Sequence, residues 1–420
     1  MSYTQDINFD MGLPITDLPK TNNCIIKVIG VGGGGGNAVN HMYREGIHDV
    51  SYVVCNTDKK ALDDAVVPNH LQLGHDGLGA GNRPEKARQA AEESMDAIKE
   101  MLNDGTRMVF ITAGMGGGTG TGAAPIIARC AKEAGILTVG IVTIPFKFEG
   151  IKKINQALDG VEEISKHVDA LLVINNERLR EIYTELTVIN AFAKADDTLT
   201  VAAKSIAEII TMHGIMNLDF EDVTTVLKDG GVAIMSTGYG EGEGRVTKAL
   251  TEALTSPLLN HNDIFNSKKV LLNINFCADD DHSSLMMEEM NEIHDFMGKF
   301  RHDVETKWGL ATDSTLGDKV KITLLATGFG LQSISGMSSH QEEKKKILSA
   351  EDKERMANRE DMINIYYQDG TKTSKHRHNN IFIYSADSMD NDDIISRVDA
   401  TPTCRRTKED LNRLKNEQSN

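Results

Sequence analysis

Residues 114–122 read Gly-Met-Gly-Gly-Gly-Thr-Gly-Thr-Gly, and this segment narrows the fold more than any other stretch of the chain. Among its six glycines and two threonines only Met115 is able to pack, so the segment serves to bring backbone close to something else. Residues 108–111, directly before it, form a short apolar run of buried-strand type. Directly after it, Ala123-Ala124-Pro125-Ile126-Ile127 opens a helix. A glycine loop between a strand and a helix N-terminus converges backbone N–H groups on an anion, and the hydroxyls of Thr119 and Thr121 add donors. Phosphate is therefore the expected ligand, and a flexible linker is the weaker reading, because linkers are not normally set between a strand and a helix.

A second loop repeats the arrangement. Residues 24–29 read as a strand and run into Gly30-Val31-Gly32-Gly33-Gly34-Gly35-Gly36-Asn37, with a helix expected from Ala38. Alone this is the weak Gly-x-Gly-x-x-Gly pattern of a dinucleotide fold. A third, Gly77-Leu78-Gly79-Ala80-Gly81-Asn82-Arg83-Pro84, precedes a helix rich in Ala and Glu. Three such turns, with no Walker-type Gly-x-x-x-x-Gly-Lys-Ser/Thr anywhere, suggest a nucleoside triphosphate held by several loops.

The remaining chain sets bounds on this reading. Its 420 residues, 40% of them hydrophobic, suffice for two domains with a sizeable core. The formal net charge of −17 disfavours nucleic acid and anionic membrane surfaces as partners. Five cysteines without a Cys-x-x-Cys spacing suggest reduced thiols in a cytoplasmic protein and no metal cage. Asp6 and Asp10 precede the first lysine, so no ordinary signal peptide is expected. Residues 108–128 are uncharged, but their six glycines and Pro125 make them unfit for a membrane span. No direct membrane insertion is expected.

Along the chain, residues 1–22 are polar and read as disordered. From 24 to about 183, apolar strands at 52–54, 109–112, 137–144 and 171–174 alternate with helical stretches, the pattern of a largely parallel sheet covered on both faces. Residues 188–212 form a long helix with Leu199, Ala202, Ala203, Ile206, Ile209 and Ile210 at helical spacing. It would exceed about 30 Å and connect two domains. Strand-like segments at 270–276 and 320–326 flank a helix within 286–300, a smaller α/β domain in which Met286, Met287, Met290 and Met297 read as core or interface packing. Beyond 331 the chain is charge-laden, interrupted by short apolar anchors of the kind that dock on partners.

Neither 30–37 nor 114–122 contains a carboxylate, histidine or lysine, so these loops hold phosphate but do not easily activate water. The base must come from elsewhere. Asn217, Asp219 and Asp222 supply candidates at the junction of the long helix and the second domain, and spacing alone supports helix capping by Asp219 as well as catalysis.

Residues 116–122, together with 32–37, Asn56-Thr57-Asp58, Pro145-Phe146-Lys147-Phe148-Glu149-Gly150 and Asn217-Leu218-Asp219-Phe220-Glu221-Asp222, resemble the tubulin superfamily and, within it, the bacterial FtsZ family of cell-division GTPases. The resemblance runs from about 24 to 331 and implies GTP/GDP as ligand. By position it places the phosphates on the backbone of Gly32, Gly33, Gly34, Gly35 and Gly36, on Gly114, Gly116, Gly117, Gly118 and Gly120, and on the third loop at Gly79, Ala80 and Gly81. It assigns Asn37 and Asn56 to sugar or phosphate, Thr119 and Thr121 to phosphate, Glu149 to ribose, and Asn176, Asp197 and Phe192 to guanine. Two departures stand out: Lys153 replaces a common Arg, losing a bidentate fork, and Asp196 replaces a common Asn. Magnesium is implied on the β and γ phosphates, without a dedicated protein ligand.

The resemblance also implies head-to-tail self-association into filaments, with Asn217, Asp219 and Asp222 of one subunit completing the pocket of the next and hydrolysis requiring assembly. It implies membrane-tethering and regulatory division proteins as partners of the C-terminal tail, through Ile394, Ile395, Val398, Pro402, Arg405 and Arg406, at the mid-cell division site. The expected organisation is a disordered segment 1–22, a GTP-binding domain 23–187, a central helix 188–212, a second α/β domain 213–331, a linker 332–385 and a partner-binding tail 386–420. Two other functions compete. A nicotinamide dehydrogenase using 30–35 and Asp58 leaves 114–122 without a role. A filament protein that binds GTP without hydrolysing it leaves Asp219 and Asp222 without one.

Overall fold

The computed structural model describes residues 24–330 except 48, 184, 186, 213, 256–263, 279–283 and 302. The expected disordered segment 1–22, the linker 332–385 and the tail with Ile394, Ile395, Val398, Pro402, Arg405 and Arg406 lie outside the described residues.

Strand β1 (Ile26–Val31) is buried along its whole length, as the centre of a doubly covered sheet requires. It pairs in parallel with β2 (Val50–Asn56) on one side and β4 (Met108–Gly114) on the other. Beyond β2 lies the short β3 (His70–Gln72); beyond β4 lie β5 (Leu137–Ile144) and β6 (Ala170–Asn175), all parallel. The connections are α1 (Gly32–Glu45), α2 (Lys59–Asp63), α3 (Pro84–Glu93), α4 (Met95–Leu102), α5 (Thr119–Glu133) and α6 (Ile151–Ser165). After β6 come α7 (Asn176–Ile182) and the long α8 (Val188–Thr211).

The second half contributes β7 (Gly214–Met216), α9 (Phe220–Leu227), β8 (Gly231–Glu241), α10 (Arg245–Leu254), β9 (Lys269–Phe276), α11 (Glu289–Met297), β10 (Glu305–Thr312) and β11 (Lys319–Phe329). Parallel pairing of β6 with β8 joins it to the first half, giving one sheet of order β3-β2-β1-β4-β5-β6-β8-β11-β9-β10-β7. From β8 onward the pairing turns mixed, antiparallel at β8–β11, β11–β9 and β10–β7 and parallel at β9–β10.

Strand alternation sends neighbours to opposite faces, so Val28, Phe110 and Ile141 enter one core while Ile29, Ile111 and Val142 enter the other. The first core also takes Leu199, Ala203, Ile206 and Ile209 of α8 and continues to Leu271 and Leu325 in the second half.

Two local differences from the sequence-based expectation have steric causes. Helix α1 begins at Gly32, not Ala38, although glycine costs roughly 1 kcal/mol per helical position. A Cβ on Gly35 would lie 2.2 Å from the Thr112 carbonyl oxygen, so only glycine lets this helix rest directly on the sheet. Strand β8 is not evident from the sequence because glycines weaken a strand pattern. Yet a Cβ on Gly238 would meet the Ala249 oxygen at 2.1 Å, which explains why α10 needs a bare strand beneath it. In the expected methionine cluster, Met290 and Met297 pack against the core and Met286 and Met287 are exposed.

Candidate functional site

A cleft of about 410 Å³ opens at the C-terminal ends of β1, β4 and β5, where parallel sheets place ligands. Two glycine-rich turns form its floor, and they touch each other. Gly32 has φ +74° and a Cβ there would lie 2.8 Å from the Gly120 nitrogen, so the two turns pack backbone on backbone. Gly33, Gly34 and Asn37 face the cleft from α1, and Gly117, Gly118, Thr119 and Gly120 face it from the start of α5. Both helices lack a side-chain cap at their N-termini, which leaves first-turn N–H groups for an anion. Gly33 has no atom within 4 Å of an added Cβ, because its missing side chain looks into open cleft.

The opposite wall comes from α7 and α8. Phe192, Ala195, Asp196 and Leu199 line it, spaced as one helical stripe. The Phe192 ring stands edge-on to Phe146 at 5.1 Å. Asn176, the first residue of α7, is buried in this wall, and its Oδ1 has no hydrogen-bond partner among the described residues. Such an orphaned acceptor costs about 1–3 kcal/mol, which a ligand offering N–H donors would recover. A guanine base offers them. Burial pushes the Asp196 carboxyl up to about 6; His41 opposes the shift and Asp197 adds to it.

The sequence expectation for guanine falls on Asp197, which does not line the cleft. One residue further along α8, Asp197 turns away from the cleft and pairs with His41 Nε2 at 2.8 Å and with Lys194. Asp196 is the cleft-facing carboxylate. The signal is present in the sequence, since 196 and not 197 continues the stripe 192, 195, 199.

Glu149 and Lys153 also line the cleft and are joined by a 2.5 Å ion pair. Glu149 Oε1 also accepts from the Phe146 N–H at 2.9 Å, which fixes the carboxylate. Gly114 lines the cleft as well.

Other expected residues support the cleft without lining it. Thr121, expected on phosphate, accepts the Gly116 N–H through Oγ1 at 2.9 Å and so shapes the turn. Gly116, at φ +92°, packs against the Lys153 carbonyl. Gly35 and Gly36 pack on the Thr112 carbonyl and the Val54 side chain. Asn56, expected on sugar or phosphate, is buried and accepts from the Asp58 N–H at 3.2 Å. Its neighbour Thr57 reaches the site by a 2.7 Å hydroxyl contact with Thr119. In the third loop, Gly79 lies beside Asp58, and a Cβ on Gly118 would meet Ala80 at 2.9 Å, while Gly81 has open space around it. Among the described residues, no three His, Cys, Asp or Glu side chains converge as a metal site.

Asn217, Asp219 and Asp222 are brought together with one another, away from the cleft. Asn217 Oδ1 accepts the Gly214 N–H at 2.5 Å. Asp219 caps α9 by accepting the Asp222 N–H at 2.8 Å, and Asp222 returns the contact by accepting the Asp219 N–H at 3.2 Å. The capping reading is thus realised, and the carboxylates remain at the surface. Lys307 of β10, which the sequence does not single out, binds Asp222 Oδ1 at 2.9 Å and holds its carboxyl below the usual carboxylate range. No local signal flags it, because the contact depends on β10 pairing beside β7.

Residues 25–184 match the Tubulin/FtsZ family GTPase domain, residues 231–330 the FtsZ family C-terminal domain, and residues 376–420 the FtsZ C-terminal pattern. The chain is 52% identical over 417 residues to the cell division protein FtsZ of Porphyromonas gingivalis, covering 97% of this chain and 89% of that one. It is 42% identical over 337 residues to the cell division protein FtsZ of Aquifex aeolicus, covering 79% and 90%. Among solved structures, an FtsZ dimer from M. jannaschii superposes with a TM-score of 0.66 and 37% identity, over 74% of this chain and 89% of that one.

Proposed function

The chain belongs to the FtsZ family of cell-division proteins and carries their tubulin-like GTPase domain, and from that premise we propose that it hydrolyses GTP in head-to-tail filaments, each active site completed by the next subunit. The observation that carries this reading is a separation. Phe192 and Asp196 line the cleft from the start of α8, whereas Asn217, Asp219 and Asp222 follow its end. Leu199 is the last cleft-lining residue of α8, and at about 1.5 Å per residue the rest of the helix to Thr211 still puts about 18 Å between the cleft wall and the segment that carries them. Carboxylates that far from the cleft do no chemistry on a nucleotide held there within one chain. Placed against the cleft of a neighbour, they do, and because such a contact is heterologous it propagates into a filament. The related M. jannaschii protein, solved as a dimer, supports self-association.

In the resulting site, the α1 and α5 turns bind the triphosphate through backbone N–H groups, with Thr119 adding its hydroxyl. Glu149, held by Lys153, takes the ribose hydroxyls. Asn176 and Asp196 read the guanine edge, and Phe192 flanks the base. Adenine presents a donor and acceptor reversed along that edge, so the Asp196 carboxylate selects against it. Asp219 and Asp222 of the neighbour orient water for attack on the γ-phosphate, with Asn217 holding their loop. Mg²⁺ would be held mainly by phosphate oxygens and water and would offset phosphate charge there.

The proposed organisation follows: nucleotide binding in 23–187, α8 as connector, the catalytic loop in 213–331, and a linker 332–385 leading to a docking tail at 386–420. That tail would engage tethering and regulatory division proteins at a cytoplasmic mid-cell ring. Phosphate release measured against protein concentration tests the central point. Assembly-dependent hydrolysis has a concentration threshold, and a rate per subunit that is constant down to the lowest concentration would refute it.

A further inference from the structure

Two carboxylates approaching a triphosphate from a neighbouring subunit face a charge problem. The cleft itself does little to solve it, since Lys153 is the one cation lining it among the described residues and its Nζ is bound to Glu149. The catalytic loop, however, carries its own cation. Lys307 Nζ lies 2.9 Å from Asp222 Oδ1, on a side chain 37% exposed, while Asp222 uses its other oxygen to accept the Asp219 N–H. The contact is built in by the sheet. Strand β10 pairs with β7 through Leu310 and Met216, and the Leu218 side chain sits where a Cβ on Gly309 would fall, so the loop crosses β10 just above Lys307.

We propose that Lys307 is a positioning residue for hydrolysis: by gripping Asp222 it fixes the Asp219–Asp222 capping pair and offsets one of its two charges, so that Asp219 can be presented to the γ-phosphate of the adjacent subunit. The inference rests on the trans reading above. It also divides the labour within the pair. Asp222, held by Lys307 from one side and by the Asp219 backbone from the other, is the anchor. Asp219, which stays exposed at the helix start, is the group that meets the water.

The test compares Lys307→Met, Lys307→Arg, Asp222→Asn and the double variant Lys307→Met/Asp222→Asn in the full chain, with Asp219→Ala in parallel. Three quantities are read: GTP affinity of unassembled protein, sedimentable polymer, and phosphate release per polymerised subunit. Lys307→Met is expected to bind GTP normally and lose about tenfold or more in release per polymerised subunit, the scale of a misplaced catalytic group. Lys307→Arg, which keeps the charge and the reach, should return to within about threefold of the parent. The double variant should be no worse than Asp222→Asn alone, because the lysine acts through that carboxylate. Parental release per polymerised subunit in Lys307→Met, or its failure to bind GTP as monomer, overturns the proposal while leaving the trans reading intact if Asp219→Ala is inactive. Full activity in Asp219→Ala overturns both.

Discussion

Asp196 and Asp197 are adjacent on α8 yet serve different surfaces, the first lining the nucleotide cleft and the second pairing with His41 at 2.8 Å. The proposed reading makes guanine selection depend on Asp196. Its replacement by Ala should weaken GTP binding by about tenfold to a hundredfold, the worth of a charge-assisted hydrogen bond. Asp197→Ala removes an exposed ion pair and should change affinity by less than about threefold. Equilibrium dialysis with labelled GTP checks both, and equal retention of ATP by the parent protein would refute guanine selection altogether.

The same carboxyl sets a pH dependence. Burial raises it from 3.8 to about 6, so it becomes protonated, and loses its capacity as an anionic acceptor, as pH falls through about 6. GTP affinity should drop between about pH 7 and about pH 5, and the drop should be absent in Asp196→Asn. Stability of the free protein moves the other way: the folded state binds this proton before the unfolded chain does, so the contribution of Asp196 to stability rises as pH falls through about 6. Thermal melts with and without GTP across this range separate the two trends.

Gly33 and Gly118 should fail for different reasons when made larger. A side chain at Gly33 enters open cleft, so Gly33→Val should abolish nucleotide binding and leave the melting temperature nearly unchanged. At Gly118 an added Cβ would sit 2.9 Å from the Ala80 Cβ and 3.0 Å from the Arg83 nitrogen. Gly118→Val should therefore lose stability as well, by about 1–3 kcal/mol for an overpacked contact. Melting curves of the two variants without nucleotide decide this.

Asp219→Ala should keep GTP binding and lose about a hundredfold in turnover. Mixing makes the test specific. A Gly33→Val subunit, unable to bind GTP but with an intact Asp219, should restore turnover to the occupied clefts of Asp219→Ala neighbours. Co-sedimenting mixtures that stay inactive at every ratio would refute action across the interface.

The tail prediction rests on sequence and on the family match at 376–420. Truncation after Ser385 should leave GTP hydrolysis and filament formation intact in purified protein and remove recruitment to membranes, with residues 392–406 as the docking element. Loss of hydrolysis in the truncated protein would assign the tail to the enzyme instead.

Glycine runs between an apolar strand and a helix are a local pattern with a local cause, the convergence of N–H groups on an anion, and so residues 32–37 and 114–122 announce the floor of the cleft from the sequence alone. The parallel sheet is legible there too, since strands buried on both faces must be apolar throughout. What chain order does not convey is direction and contact across elements. A rotation of about 100° per residue on α8 decides that Asp196 and not Asp197 faces the cleft, and packing of α8 on the sheet sets that rotation. The sheet brings Lys307 to Asp222 across 85 positions of sequence. The course of α8 beyond its cleft-lining residues sets Asp219 and Asp222 apart from the cleft of their own chain. Local chemistry is written in neighbouring residues, whereas the facing of a helix and the meeting of distant strands are settled by packing, which is a property of the folded whole.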